Sequence, residues 1–226
     1  MRSYDLVVIG SGPAGEKAAA QAAYFGKSVA VIEARPEPGG VCAHTGTIPS
    51  KTLRESSLYL SGVRSRGLYG VNYLIKRDIS VQDFMYRRHQ VVAREVERIH
   101  QNLDRHRIDL VRGRATLVDA NTVQAGQEKL GARFILIATG SRPFHAPYLD
   151  FTDPNIFDSD SILNIDVMPR SLCIIGAGVI GCEYATIFAA LGIRVVLVDP
   201  GAEILAFLDD EITKLLQEQM QKLGVQ

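Results

Sequence analysis

The chain has 226 residues, about one and a half ordinary domain lengths, and its 46% hydrophobic and 22% charged residues supply a packed core and exclude disordered and fibrous classes. The 25 Lys and Arg residues balance the 25 Asp and Glu residues, so no net field favours nucleic acid or an anionic membrane. No apolar run approaches the roughly 18 residues of a spanning helix, no signal-peptide pattern opens the sequence, and Cys42, Cys173 and Cys182 are too few for a disulfide framework or a zinc site, which points to a reducing, cytoplasmic setting.

The apolar run Leu6 to Ile9 leads directly into Gly10-Ser11-Gly12-Pro13-Ala14-Gly15 and the small-residue stretch Ala18 to Ala23, which reads as strand, tight turn and helix. Gly26 stops the helix, Ser28 to Ile32 forms a second strand, and Glu33 ends it, with Ala34 after it as a further candidate cofactor contact. In such a unit the first glycine permits the turn, the second lets backbone approach a pyrophosphate, and the third brings helix and strand together. Phosphates then sit on exposed helix N–H groups, and Glu33 is placed to accept hydrogen bonds from a ribose.

Gly39-Gly40-Val41-Cys42-Ala43-His44-Thr45-Gly46-Thr47 follows as a glycine-rich loop, with Pro49 and Ser50 marking the start of a helix that carries Lys51. From Ser80 to Arg107 runs a long helical pattern with Phe84, Val91, Val92, Val96, Ile99 and Leu103 on one side. Its arginines are interleaved with Glu95, Glu97 and Asp104, so they read as a solvated face rather than a nucleic-acid surface. His44, His89, His100, His106 and His145 show no metal-ligand spacing, and no metal is predicted. Ile108 to Arg112, Thr116 to Val118, Thr122 to Gln124 and Arg133 to Ile137 read as short strands, with turns at Asp119 to Asn121 and Gly126 to Gly131. They imply a small antiparallel excursion. Prolines then mark residues 144–170 as a linker.

Ser171 to Asp199 repeats the first design: strand Leu172 to Ile175, Gly176-Ala177-Gly178-Val179-Ile180-Gly181, a helix to Leu191, Gly192, strand Arg194 to Val198, and Asp199. The third glycine lies 11 residues before the helix-stopping glycine and 18 before the acid in both units. Two dinucleotide sites are the better reading of that agreement. The expected fold is therefore α/β, with two Rossmann-like dinucleotide-binding units and a small antiparallel β excursion. The domain plan is 1–143, a linker over 144–170, and 171–226. Asp209 caps a last helix with Ile212, Leu215, Leu216, Met220 and Leu223 on one face, and Gly224-Val225-Gln226 reads as the entry to a strand. The 56 residues from Ser171 are short of a full nucleotide domain, so the second unit reads as truncated and the chain as an N-terminal fragment.

The Gly39 to Lys51 segment resembles the redox loop of the FAD-dependent pyridine nucleotide-disulfide oxidoreductases, normally a glycine pair, Cys, four residues, Cys, then Ile-Pro-Ser-Lys. Within that family, His44, Gly46 and Thr47 resemble the transhydrogenase branch most, and Phe157 to Leu163 and Leu205 to Asp209 add to the likeness. The resemblance covers the whole chain and implies FAD on the first unit and a nicotinamide nucleotide, NAD(H) with NADP(H), on the second. It implies that Gly40, Val41, Gly46 and the Thr139-Gly140 turn contact the flavin and that Ala115 meets the adenine by its backbone. It also implies that Lys51 stands beside the flavin's reacting nitrogen with Glu183 as its ion-pair partner. A cation there offsets the charge gained on reduction. Full-length relatives are implied to be homodimers or higher oligomers, with neither nucleic acid nor membrane as partner.

Thr47 replaces the second sulfur, and dithiol exchange needs two neighbouring sulfurs. Cys42 is either a moderately acidic thiol or a small residue packed under the loop. Electrons entering the flavin then leave by a second visit to the nicotinamide site, which is transhydrogenation. Two alternatives stand beside it: a binding fragment without turnover, and an NADH-dependent relative, of dihydrolipoamide dehydrogenase type, using another acceptor. Asp199 and an arginine-free Pro200 to Leu205 favour NAD over NADP.

Overall fold

The computed structural model describes residues 1–65 and 79–226. They form two compact units, Met1–Pro49 with Gln90–Ile156 and Ser50–His89 with Phe157–Gln226. In chain order the elements are β1 (Arg2–Ile9), α1 (Pro13–Tyr24), β2 (Val29–Glu33), α2 (Gly40–His44), α3 (Thr47–Ser65), α4 (Val81–Arg105), β3 (Asp109–Arg112), β4 (Ala115–Asp119), β5 (Thr122–Ala125) and β6 (Glu128–Ile137). A 3-10 turn at Ser161–Asn164 precedes β7 (Ser171–Ile175), α5 (Val179–Ala190), β8 (Arg194–Val198) and α6 (Asp210–Lys222). Among the described residues, no helix is long and apolar enough to cross a membrane.

The first unit is built on a six-stranded sheet of order β3-β2-β1-β6-β5-β4. β1 pairs in parallel with β2 and β6, and β2 with β3, while β4, β5 and the start of β6 are antiparallel. Val7 and Val8 point to opposite faces and are both fully buried, as a central parallel strand covered on both sides requires. Val7, Ile32, Val123 and Leu130 pack on one face. Val8, Val31, Ala19 of α1 and Ile99 and Leu103 of α4 pack on the other.

Several boundaries differ from the sequence reading, two of them by a change of element type. Gly131 belongs to a strand rather than a turn, because β6 pairs on both sides there, with Ser3 and with Thr122. The helix carrying Lys51 begins at Thr47, two residues before Pro49, and the loop ahead of it already makes the short α2.

In the second unit β7 and β8 run parallel in the register Leu172↔Val195, and Gln226 extends the ladder by donating its N–H to the Val195 carbonyl at 3.0 Å. Leu53, Phe84, Ile162, Leu163 and Phe188 share its core, the Phe84 and Phe188 rings lying 6.0 Å apart. Asp158 holds the 3-10 turn, accepting from Ser161 N–H at 2.6 Å. The Asp209 side chain caps α6 by accepting from Glu211 N–H at 3.0 Å. The packed face of α6 is Thr213, Leu216 and Met220, whereas Ile212, Leu215 and Leu223 are exposed. An apolar stripe wider than the available contact buries only the side that meets a neighbour.

Candidate dinucleotide and redox site

Both glycine turns have the same geometry. Gly10 and Gly176 hold φ near +103° and +105°, a region that disfavours a side chain. A Cβ at Gly15 would collide with the Gly10 carbonyl oxygen, and one at Gly181 with that of Gly176, so each third glycine seats its helix on the preceding strand. The middle glycines face space: nothing lies within 4 Å of a Cβ at Gly178, and at Gly12 the nearest atom is the Gly40 Cα at 3.8 Å. Gly12 and Gly178 are the N-caps of α1 and α5, and neither makes a side-chain cap. Pro13 takes the first helical position of α1, where its missing N–H costs nothing. The remaining first-turn N–H groups suit an anion, and the open glycine surface leaves room for it, which fits a pyrophosphate at both turns.

The acids do more than the spacing suggested. Glu33 is buried, and its Oε2 accepts from Ser11 N–H at 3.1 Å and Ser11 Oγ at 2.5 Å, while Oε1 accepts from Arg35 N–H at 2.8 Å. Burial pushes the carboxyl upward, but the bonds from Arg35 and Ser11 outweigh it and hold Glu33 below its ordinary value. Asp199 repeats the brace, accepting from Ala177 N–H and Gly201 N–H, both at 2.7 Å, and these two bonds hold it below its ordinary value. Each acid thus ties its strand end to the residue after the first glycine. A carboxylate oxygen accepts along two lone pairs, so bracing leaves capacity for a ribose hydroxyl.

In the first unit the redox-type loop folds onto the first turn. Gly39 N–H donates to both Ser11 O and Ser11 Oγ, and a Cβ at Gly40 would reach the Gly12 Cα at 2.8 Å. Gly46 N–H closes the loop on the Val41 carbonyl at 2.7 Å. Cys42 is a free, half-buried thiol in α2, and Thr47 is exposed at the start of α3. Ala138 N–H donates to Ile9 O at 2.8 Å, which brings the exposed Thr139-Gly140 turn beside Gly10, and Ala115 opens β4.

In the second unit Lys51 Nζ lies 2.9 Å from Glu183 Oε1. Glu183 is largely covered and the lysine is exposed, so the carboxylate is a fixed anchor and the ammonium is presented outward. Val179 and Ile180, beside the open Gly178, are also exposed. Two residues of the first unit escaped the sequence reading. Ser11 is almost fully buried. Glu16, also buried in the first turn of α1, accepts from Asn102 Nδ2 at 2.7 Å and faces Arg98. A lone acid among small residues was the only signal for Glu16, and nothing marked Ser11.

Two glycine turns of one geometry, each closed by a braced acid, define a dinucleotide-binding α/β protein of Rossmann type. The chain belongs to the pyridine nucleotide-disulphide oxidoreductase family, which matches residues 4–226. It is 45% identical over 231 residues to the soluble pyridine nucleotide transhydrogenase of Mycobacterium tuberculosis (strain ATCC 25177 / H37Ra), covering 100% of this chain and 49% of that protein. The protein of the same name from Marinomonas sp. (strain MWYL1) is 45% identical over 235 residues, covering 99% of this chain and 49% of the relative. Among solved structures, the Cu(II) complex of the HOCl-induced flavoprotein disulfide reductase RclA from Escherichia coli aligns with a TM-score of 0.85 at 27% identity, over 100% of this chain and 48% of that one. The chain spans about half the length of these relatives. Family membership implies FAD and NAD(P)(H) as cofactors.

Proposed function

We propose that this chain is the N-terminal part of a flavoprotein oxidoreductase that passes hydride between NAD(H) and NADP(H) through FAD. The observation that carries the reading is Thr47. It opens α3 one turn before Lys51, so a hydroxyl stands where dithiol chemistry needs a sulfur, while the lysine keeps its Glu183 anchor at 2.9 Å. The 45% identity to proteins named soluble pyridine nucleotide transhydrogenase supports the same choice.

In this reading, FAD supplies the two-electron chemistry when bound. The α1 N-terminus and Gly10, Gly12, Pro13, Ala14 and Gly15 receive its pyrophosphate, and Glu33 receives the adenosine ribose. Gly40, Val41, Gly46, Thr139 and Gly140 shape the flavin's surroundings. Lys51 offsets the negative charge that reduction creates, and Glu183 keeps that ammonium in place. Gly176, Gly178, Val179, Ile180 and Gly181 receive the nicotinamide nucleotide, with Asp199 at its ribose. Asp199 is held ionised by two backbone N–H groups and repels a 2′-phosphate, so NAD(H) binds more tightly than NADP(H).

That repulsion favours one second reading, an NADH-dependent enzyme with a different acceptor. Anaerobic spectroscopy separates the two. The FAD-loaded protein is bleached with NADH and then offered NADP⁺ or a disulfide of the lipoamide type. Return of the flavin spectrum with NADP⁺ alone is the expected result. Return with the disulfide at a matching rate, or with neither, overturns transhydrogenation.

A further inference from the structure

We propose that Ser11 is a positioning residue for the dinucleotide of the first unit: its hydroxyl, donating to Glu33 and accepting from Gly39, fixes the carboxylate that meets the adenosine ribose and ties it to the loop carrying Cys42. The inference rests on the reading of the first unit as the FAD site. Its geometry is fully determined. Gly39 N–H, 3.1 Å from Ser11 Oγ, only donates, so the hydroxyl accepts from it and its single proton goes to Glu33 Oε2 at 2.5 Å. Ser11 is about 1% exposed and Glu33 about 7%, so water does not replace these bonds. The backbone contributes two more, from Ser11 N–H to Glu33 Oε2 at 3.1 Å and from Gly39 N–H to Ser11 O at 3.2 Å.

The second unit provides the internal comparison. Ala177 stands where Ser11 does and donates its N–H to Asp199 at 2.7 Å, but it has no hydroxyl with which to engage a following loop. The shared backbone bond therefore belongs to the turn itself. The hydroxyl is an addition found only where the loop with Cys42 folds back on the turn. Both oxygens of Glu33 are held from the protein side, so the carboxylate meets a ribose already oriented, without the entropy loss of ordering a free side chain.

The test compares flavin affinity, by fluorescence quenching, for FAD and for an FAD analogue with a 2′,3′-dideoxyadenosine ribose. Ser11→Ala is expected to weaken FAD about tenfold, the scale of one lost charged hydrogen bond, and to change the analogue less than about twofold. Ser11→Cys, of similar volume but a weaker donor, is expected between the two. Adding Ser11→Ala to Glu33→Gln is expected to cost no more than Glu33→Gln alone. Equal weakening of both flavins by Ser11→Ala assigns the serine a structural role only and overturns the proposal, as does unchanged FAD affinity. An unsubstituted chain that binds FAD and the analogue equally overturns the role of Glu33 while leaving the flavin site. Failure of this chain to bind either flavin removes FAD binding from this part of the protein and overturns the proposal with it.

Discussion

Tyr4 shows how a single residue sets a pH limit on the fold. Its Oη donates to Asp109 Oδ2 at 2.5 Å, and burial together with that bond pushes the phenol up from 10.0 to about 12. A folded chain keeps this proton where an unfolded one loses it. The stabilisation is thus complete below pH 10.0 and disappears as pH rises toward about 12. Tyr4→Phe should flatten that alkaline limb, seen as the denaturation midpoint against pH. Glu33 works in the opposite direction. Its folded value lies below 4.5, so its contribution is present above pH 4.5 and lost as pH falls through the folded value. Glu33→Gln should remove that part of the acid limb. At the proposed redox pair, Lys51→Met is expected to slow NADH-driven flavin bleaching on the order of a hundredfold. Glu183→Gln leaves the ammonium but loosens its anchor, and about tenfold is expected in the same stopped-flow trace.

At the level of elements, the glycine turns separate packing from binding. Gly181→Ala forces a methyl into the Gly176 carbonyl and is expected to cost about 1–3 kcal/mol, read from thermal unfolding. Gly178→Ala meets no atom within 4 Å, so stability should hold while NADH affinity falls, because the methyl occupies the surface offered to the pyrophosphate. An equal loss of stability in both variants would contradict this division. Helix α6 offers a similar contrast. Met220→Ala, at a buried position, should cost about 2–5 kcal/mol, whereas Ile212→Ala, at an exposed one, should stay within about 0.5 kcal/mol.

For the whole molecule, nucleotide choice is proposed to rest on one acid, Asp199. Asp199→Ser is expected to raise NADP(H) affinity relative to NAD(H) about tenfold, measured by titration of both nucleotides. An unchanged ratio would move that selectivity away from Asp199. Much of the plan was legible in the sequence: both βαβ units, the helix-stopping Gly26, the cap Asp209, and the family loop from Gly39 to Lys51. These signals are local, since a glycine's positive φ, a capping side chain and a strand's alternation depend on neighbours along the chain. Other features needed the tertiary structure. The strand character of Gly131 depends on Ser3 and Thr122 flanking it, and the buried face of α6 on the elements that meet it. Lys51 and Glu183 are 132 residues apart, and Ser11 joins Glu33 and Gly39 across 22 and 28 residues. Spacing along a chain specifies which conformations a segment favours. Which polar atoms complete each other's hydrogen bonds is decided only when burial removes water as the alternative partner.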